Sequence, residues 1–118
     1  MATTDKTGLI LKLYGVPLAG VIGTNVALNK VLNPSLSNTQ LGIAVALSIA
    51  TLPISVGIMA MSHIDGGGKP TVTEKAVGSA VGGTIYALPM MLVQHTTILN
   101  NVGVGVASHF AFNLFVTQ

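Results

Sequence analysis

The sequence predicts an all-α protein of four hydrophobic helices, arranged as two tandem helical hairpins. Half of the 118 residues are hydrophobic, only 7% are charged, and the mean hydropathy is +0.74. The apolar runs are too long for ordinary strands, and small residues recur at every fourth position within them. Soluble domains carry about a quarter of charged residues, so we expect lipid or other protein to surround this chain.

Breaks in the apolar pattern give the order of the elements. Asn33-Pro34 ends the first helix because the residue before a proline disfavours helical geometry, and Ser35 or Ser37 can cap the second helix. Three successive glycines follow the second helix of the first hairpin and form a flexible connector. The predicted helices cover residues 7–32, 39–63, 73–99 and 102–116, with a tight turn at Asn100-Asn101. A single domain therefore contains hairpins 7–63 and 73–118, joined by the connector 64–72.

The two hairpins resemble each other in sequence. "YGVPLAGV" at Tyr14–Val21 and "YALPMMLV" at Tyr86–Val93 share a tyrosine, a proline and a valine in the same places. A duplicated hairpin explains this pattern, although a small apolar alphabet also produces similarity by chance. Pro17, Pro53 and Pro89 are then residues that shape their helices, since proline removes a backbone hydrogen bond. The alternative role for these prolines is a moving hinge in a transporter.

Each predicted helix carries a row of small residues on one face. Such rows let helices approach closely where hydrophobic burial contributes little, and we predict that they are self-association faces. The rows are Gly15, Ala19, Gly23 and Ala27; Gly42, Ala46 and Ala50; Gly78 and Gly82; and Gly103, Ala107 and Ala111.

Few residues in the sequence offer chemistry. The chain has no cysteine, and the apolar segments contain no carboxylate to bind a coupling ion or to orient a histidine in a catalytic triad. His95 and His109 flank the predicted turn and could hold a haem or metal together, but a satisfied polar residue near a helix end is the simpler interpretation. We therefore expect no enzyme activity, no cofactor and no metal.

Two classes of function remain. In the first, copies of the same chain cover each other's apolar faces, as in a helical polymer. In the second, the chain is a noncatalytic, four-span membrane subunit of a larger complex. Four lysines on the side of the amino terminus and the connector, against Lys30 on the other side, would then place both termini in the cytoplasm.

The pattern of "LYGVPLAGVIGTNVAL", "LGIAVALSIATLPISVGI", "AVGSAVGGTIYALPMMLV" and "VGVGVASHFAFNLFV" resembles two families of structural proteins. The first is the hydrophobic helical coat proteins of spindle-shaped and tailed archaeal viruses, and the second is the conjugative pilins. Four helices fit the coat proteins better than the two-helix pilins. The resemblance implies a self-associating protomer located in a virion. The sequence leaves open whether lipid is a further partner.

Nucleic-acid contact is less well supported by the composition. A net charge of +2 is small and scattered, whereas phosphate binding relies on clustered basic residues. Lys12 and Lys30 are the candidates for such contact, because they are the charges along the first helix and its end.

Overall fold

The computed structural model describes residues 15–63, 69–93 and 96–116, and all of the regular structure in these ranges is helical. The helices are α1 (Val16–Leu32), α2 (Asn38–Ala50), α3 (Leu52–Ser62), α4 (Val72–Met90) and α5 (Ile98–Val116). α2 and α3 are the two halves of one helical rod that is interrupted at Thr51, so the described chain forms four rods. The prediction of an all-α, four-helix fold is confirmed.

Two helices begin at capping boxes. Ser37 Oγ accepts from the Gln40 N–H at 3.1 Å, and Gln40 Oε1 accepts from the Ser37 N–H at 2.8 Å. Thr71 and Glu74 make the same reciprocal pair at the start of α4, at 3.2 and 2.7 Å. Each box satisfies backbone donors that the first turn of a helix leaves unpaired. Ser37, one of the two predicted caps, is therefore the cap of α2.

The second rod is interrupted next to Pro53. This proline has no N–H to donate to the carbonyl four residues earlier, which weakens the helix at this point. The Thr51 hydroxyl donates to the Leu47 carbonyl at 2.8 Å and so turns back onto the preceding helical turn. Pro17 lies in the first turn of α1, and Pro89 is the next-to-last residue of α4.

The predicted turn at Asn100-Asn101 is wrong, because α4 ends at Met90 and α5 begins at Ile98, before both asparagines. The Thr96 hydroxyl donates to the Met90 carbonyl at 2.8 Å and closes the end of α4. The Thr97 hydroxyl accepts from the Asn100 N–H at 3.3 Å, which makes Thr97 the cap of α5. The two asparagines consequently lie in the first turn of a helix.

The rods form a closed ring in which α5 contacts both α4 and α1, α3 contacts α4, and α2 contacts α1. The contact between α4 and α5 is the most extensive, and α1 contacts α5 more extensively than it contacts α2. Contacts between helices of different predicted hairpins are thus as extensive as contacts between helices of the same hairpin. The division into hairpins 7–63 and 73–118 and the duplication stay predictions, and connector residues 64–68 lie outside the described residues.

Glycines allow the closest contact between α4 and α5. A Cβ on Gly83 would lie 2.6 Å from both the Gly105 carbonyl carbon and the Val106 Cα. A Cβ on Gly105 would in turn lie 2.9 Å from the Gly83 Cα. The two backbones therefore touch where neither helix has a side chain.

Candidate functional site

Within the described part of the chain, the interior of the bundle combines two small hydrophobic clusters with an unusual number of polar side chains, and many large apolar side chains lie outside. Among the described residues, eleven polar and nine hydrophobic side chains are buried, while seventeen large hydrophobic side chains are exposed. A soluble domain normally buries its large apolar side chains and keeps polar ones at the surface. The buried polar residues are Asn25, Asn29, Asn33, Ser48, Thr51, Ser55, Ser79, Asn101, Ser108, His109 and Asn113.

Three asparagines on one face of α1 form a hydrogen-bonded ladder. Asn33 Nδ2 donates to Asn29 Oδ1 at 2.9 Å, and Asn29 Nδ2 donates to Asn25 Oδ1 at 2.9 Å. Asn25 Nδ2 then donates to the Tyr86 hydroxyl of α4 at 3.2 Å. Burial raises the pKa of Tyr86, and the hydrogen bond from Asn25 opposes this effect. The ladder thus connects α1 to α4 through the middle of the ring.

Residues of α5 contact the Asn33 end of the ladder. Asn33 Nδ2 lies 3.5 Å from Asn101 Oδ1, and Asn100 Nδ2 donates to the Leu32 carbonyl at 3.0 Å. Because Leu32 is the last residue of α1, this bond satisfies one of the carbonyls that a helix end leaves unpaired. The first turn of α5 therefore closes the end of α1.

A second cluster surrounds His109 of α5, whose side chain is fully buried. His109 Nε2 lies 3.0 Å from the Ser48 carbonyl and 3.1 Å from Thr51 Oγ1, beside the interruption of the second rod. A carbonyl oxygen only accepts, so Nε2 carries the proton. Burial lowers the pKa of His109, and the hydrogen bond to the Ser48 carbonyl offsets part of this lowering.

Asn113 of α5 makes a third polar cluster one turn further along. Asn113 Nδ2 lies 3.1 Å from Ser55 Oγ, 3.0 Å from Ser79 Oγ and 3.4 Å from the Lys75 carbonyl. The Ser79 hydroxyl donates to the same Lys75 carbonyl at 2.7 Å. This cluster links α3, α4 and α5 by side chains that are all buried or half-buried.

Gly78 and Gly82 of α4 lie inside the bundle. A Cβ on Gly82 would lie 2.6 Å from His109 Nδ1 and 2.6 Å from Ser55 Cβ, and a Cβ on Gly78 would collide with the Ser55 carbonyl oxygen. The small residues of α4 therefore admit α3 and α5 within one protomer, rather than forming a surface that a second copy could reach.

The other small-residue rows lie mainly at the surface. Ala19, Gly23 and Ala27 of α1 are exposed, as are Gly42, Ala46 and Ala50 of α2. Gly15 is half-buried; in α5, Gly103 is exposed, and Ala107 and Ala111 are half-buried. A Cβ on Gly23, Gly42 or Gly103 would meet no neighbouring group of the described chain within 4 Å.

An open apolar groove runs along α5 and the start of α4. Its volume is about 540 Å³, and it contains both Gly103 and Ala107 of the predicted face. Its lining is completed by Ala76, Val102, Val106 and Phe110. The groove therefore combines small residues with apolar walls.

Charged groups lie at the ends of the rods. Lys30 is exposed at the end of α1 and lines a pocket of about 320 Å³ with Asn33 and Asn38, whereas Lys12 lies outside the described residues. His63 Nδ1 lies 2.9 Å from Glu74 Oε1, which ties the end of α3 to the start of α4. The Thr71 backbone N–H is the main cause of a lowered pKa at Glu74, and His63 lowers it further.

Sequence reasoning missed the polar rows. One row consists of Asn25, Asn29 and Asn33, which are four residues apart. The other row has the same spacing and consists of Asn101, Gly105, His109 and Asn113. This spacing places each row on one helical face, so the signal was present in the sequence. His95 lies outside the described residues, and the part of the chain that the structure describes contains no group of three or more metal-ligating side chains.

Comparison with protein-family models, with curated proteins and with solved structures finds no match to this chain. The rod formed by α2 and α3, Asn38–Ser62, is the one helix among the described residues that is long and apolar enough to cross a membrane. It has 25 residues and a mean hydropathy of 2.2, and a third of its most apolar stretch is buried.

Proposed function

We propose that this protein is a structural protomer that assembles with copies of itself into a viral coat or a similar helical shell. The observation that carries the proposal is the unusual distribution of polarity among the described residues, with many amides and hydroxyls inside and seventeen large apolar side chains outside. Exposed apolar surface costs about 25 cal/mol per Å² in water, so a surface of this kind requires a cover. The bundle already satisfies most of its buried polar groups, which leaves the exterior free to associate.

The exposed glycines favour protein over lipid as that cover. Gly23, Gly42 and Gly103 leave open space at the surface of three different helices. Disordered acyl chains fit any apolar surface and gain nothing from a missing side chain. A neighbouring helix gains close backbone approach and van der Waals contact.

Several faces of this kind favour a polymer over a closed dimer. The rows on α1 and α2 and the groove beside Gly103 lie on different parts of the ring. When one face binds a different face of the next copy, the contact repeats without closing and produces a filament or tube.

Contact of Lys12 and Lys30 with nucleic acid is a further part of the proposal. Replacing both lysines by glutamine and measuring how much DNA the particle retains would test it.

The second candidate is a noncatalytic, multi-pass membrane subunit. The 25-residue rod Asn38–Ser62 favours it, since about 20 apolar residues cross a bilayer. The same polar interior would then be shielded from lipid, and the small-residue rows would contact partner chains.

The test is electron microscopy of the native material purified without detergent, with lipid measured on the same sample. Regular tubes or spindle-like particles with little lipid support the coat; material that disperses only in detergent, with bound lipid and partner chains, supports the membrane subunit.

Size variants at Gly23 make the test specific. Gly23→Ala retains a small residue and should assemble, whereas Gly23→Leu should assemble poorly while remaining folded, because no neighbouring group among the described residues lies within 4 Å of the new Cβ. Gly103→Leu provides the same test for the groove on α5. If both leucine variants assemble as the wild-type chain does, the small-residue faces are not the contacts.

A further inference from the structure

We propose that His109 is an acid-sensitive latch, whose protonation separates α5 from α4 and releases the interruption of the second rod. His109 occupies the point where three rods meet. Its ring contacts Ser48 and Thr51 of the second rod on one side and lies against Gly82 of α4 on the other. This device is internal to one protomer and does not depend on what covers the exterior.

The hydrogen bonds around His109 determine which form of the imidazole fits. The Thr51 hydroxyl donates its own proton to the Leu47 carbonyl at 2.8 Å. Thr51 Oγ1 can therefore only accept a hydrogen bond from His109. The Ser48 carbonyl is also an acceptor, and both atoms lie near Nε2. The neutral ring with its proton on Nε2 therefore satisfies this side of the site.

The other ring nitrogen has no partner. No described group lies within hydrogen-bond distance of His109 Nδ1, which is fully buried. The ring occupies the space that a side chain at residue 82 would fill, since a Cβ on Gly82 would lie 2.6 Å from Nδ1. A proton added at Nδ1 thus has no acceptor among the described residues, and the close approach of Gly82 covers this side of the ring.

The surroundings of the ring contain no described group that could neutralise the new charge. The second rod faces it with Ser48 and Thr51, and α4 faces it with Gly82. Nearby polar groups on α3 and on α5 itself are Ser55 and Asn113, which are neutral. Within the described ranges, the nearest carboxylate by position in the fold is Glu74, at the start of α4, where it pairs with His63. A buried cation without a counter-charge is expensive enough to drive opening.

Linkage fixes the direction of the pH effect. Burial lowers the pKa of His109 in the closed bundle, so the open form binds a proton more readily than the closed form. The closed form is fully favoured above the pKa of a solvated imidazole, near 6.5, and loses its advantage as the pH falls below that value. The population of the open form should rise about tenfold per pH unit below 6.5, until the closed form also binds the proton.

Hydrogen exchange on the dispersed full-length chain in detergent tests this inference. Exchange of the α4 and α5 amides is measured across the acid range, and each rate is divided by the intrinsic rate at the same pH. His109→Gln places an amide N–H near the position of Nε2 and cannot take up a proton, so its protection should not change with pH. His63→Gln removes the other described histidine and should keep the acid-induced loss of protection shown by the wild type.

A direct titration of the wild-type imidazole makes the test independent of how well the variants fold. Isotope-labelled His109 should show the neutral, Nε2-protonated form at neutral pH, and its ring should become protonated together with the loss of α4 and α5 protection. Protonation of the ring with unchanged protection, or an unchanged acid response in a folded His109→Gln variant, would overturn the proposal. Loss of particle assembly has no bearing on this result, because the readout is taken on dispersed protomers.

Discussion

The contact between α4 and α5 at Gly83 permits a quantitative prediction. A Cβ in Gly83→Ala would lie 2.6 Å from the Gly105 carbonyl carbon and 2.6 Å from the Val106 Cα. Carbon atoms pack at about 3.5–4.0 Å, so the two helices must separate locally by roughly 1 Å. The obstructing atoms belong to the backbone, and no side-chain rotation can relieve the overlap.

The expected cost follows from two opposing effects. Overpacking of this kind costs about 1–3 kcal/mol, and we expect the upper end because the most extensive helix pair must move. Alanine is favoured over glycine within a helix by about 1 kcal/mol, which offsets part of the cost. A net loss of about 2 kcal/mol corresponds to a fall in Tm of roughly 6–10 °C for a domain of this size.

The assay is thermal unfolding followed by far-ultraviolet circular dichroism, on wild type and variants in the same detergent. Gly23→Ala is the matched control, because its new Cβ has no neighbour within 4 Å in the described ranges and should raise the Tm through helix propensity alone. The two glycine-to-alanine substitutions should therefore shift the Tm in opposite directions. A Gly83→Ala variant as stable as the wild type would refute the inference that backbone contact sets the spacing of α4 and α5.

Three further predictions concern the polar groups. Asn29→Ala removes the donor to Asn25 Oδ1 and the nearer acceptor of Asn33 Nδ2, so chemical denaturation should show a loss of about 1–3 kcal/mol. Tyr86→Phe removes the hydroxyl that accepts from Asn25 at the end of the ladder, so the unfolding free energy should fall by about 1 kcal/mol, and an unchanged stability would count against the ladder. Glu74→Gln should lower the Tm at neutral pH. Because the pKa of Glu74 is lowered from its ordinary value of 4.5, the ionised carboxylate stabilises the fold above that pH, and the Tm difference from wild type should shrink as the pH falls below it. A Tm difference that stays constant with pH would contradict this prediction.

Local signals in the sequence were sufficient to predict the helices. Long apolar runs without a period of two predicted the all-α class, and Ser35 or Ser37 was predicted as the cap of the second helix, of which Ser37 is the observed cap. The end of α4 was predicted nine residues too late, at 99 rather than at Met90. Asn100-Asn101 looked like a turn, whereas Thr97 supplies the hydroxyl that starts α5 before them.

The polar interior could not be predicted from hydropathy alone. Apolar residues occur all around these helices, so the usual rule that the apolar face is the buried one selects no face. In α1 the row of small residues and the row of asparagines are equally periodic, and only the packing against α5 and α4 reveals which one is inside. Tertiary structure therefore decided what the pattern left open.

The ladder from Asn33 to Asn25 has a consequence for the order of events in biogenesis. An unassembled chain would present these amides to the same apolar surroundings that suit its exterior, at a cost of about 4–8 kcal/mol for each amide left without a partner in hydrocarbon. Within α1 the asparagines pair with one another, but Asn25 Nδ2 reaches the Tyr86 hydroxyl, and Asn33 Nδ2 approaches Asn101 Oδ1, only when α4 and α5 have joined α1. Incomplete chains are thus poorly matched to an apolar neighbour, and completed bundles are the units that can join it.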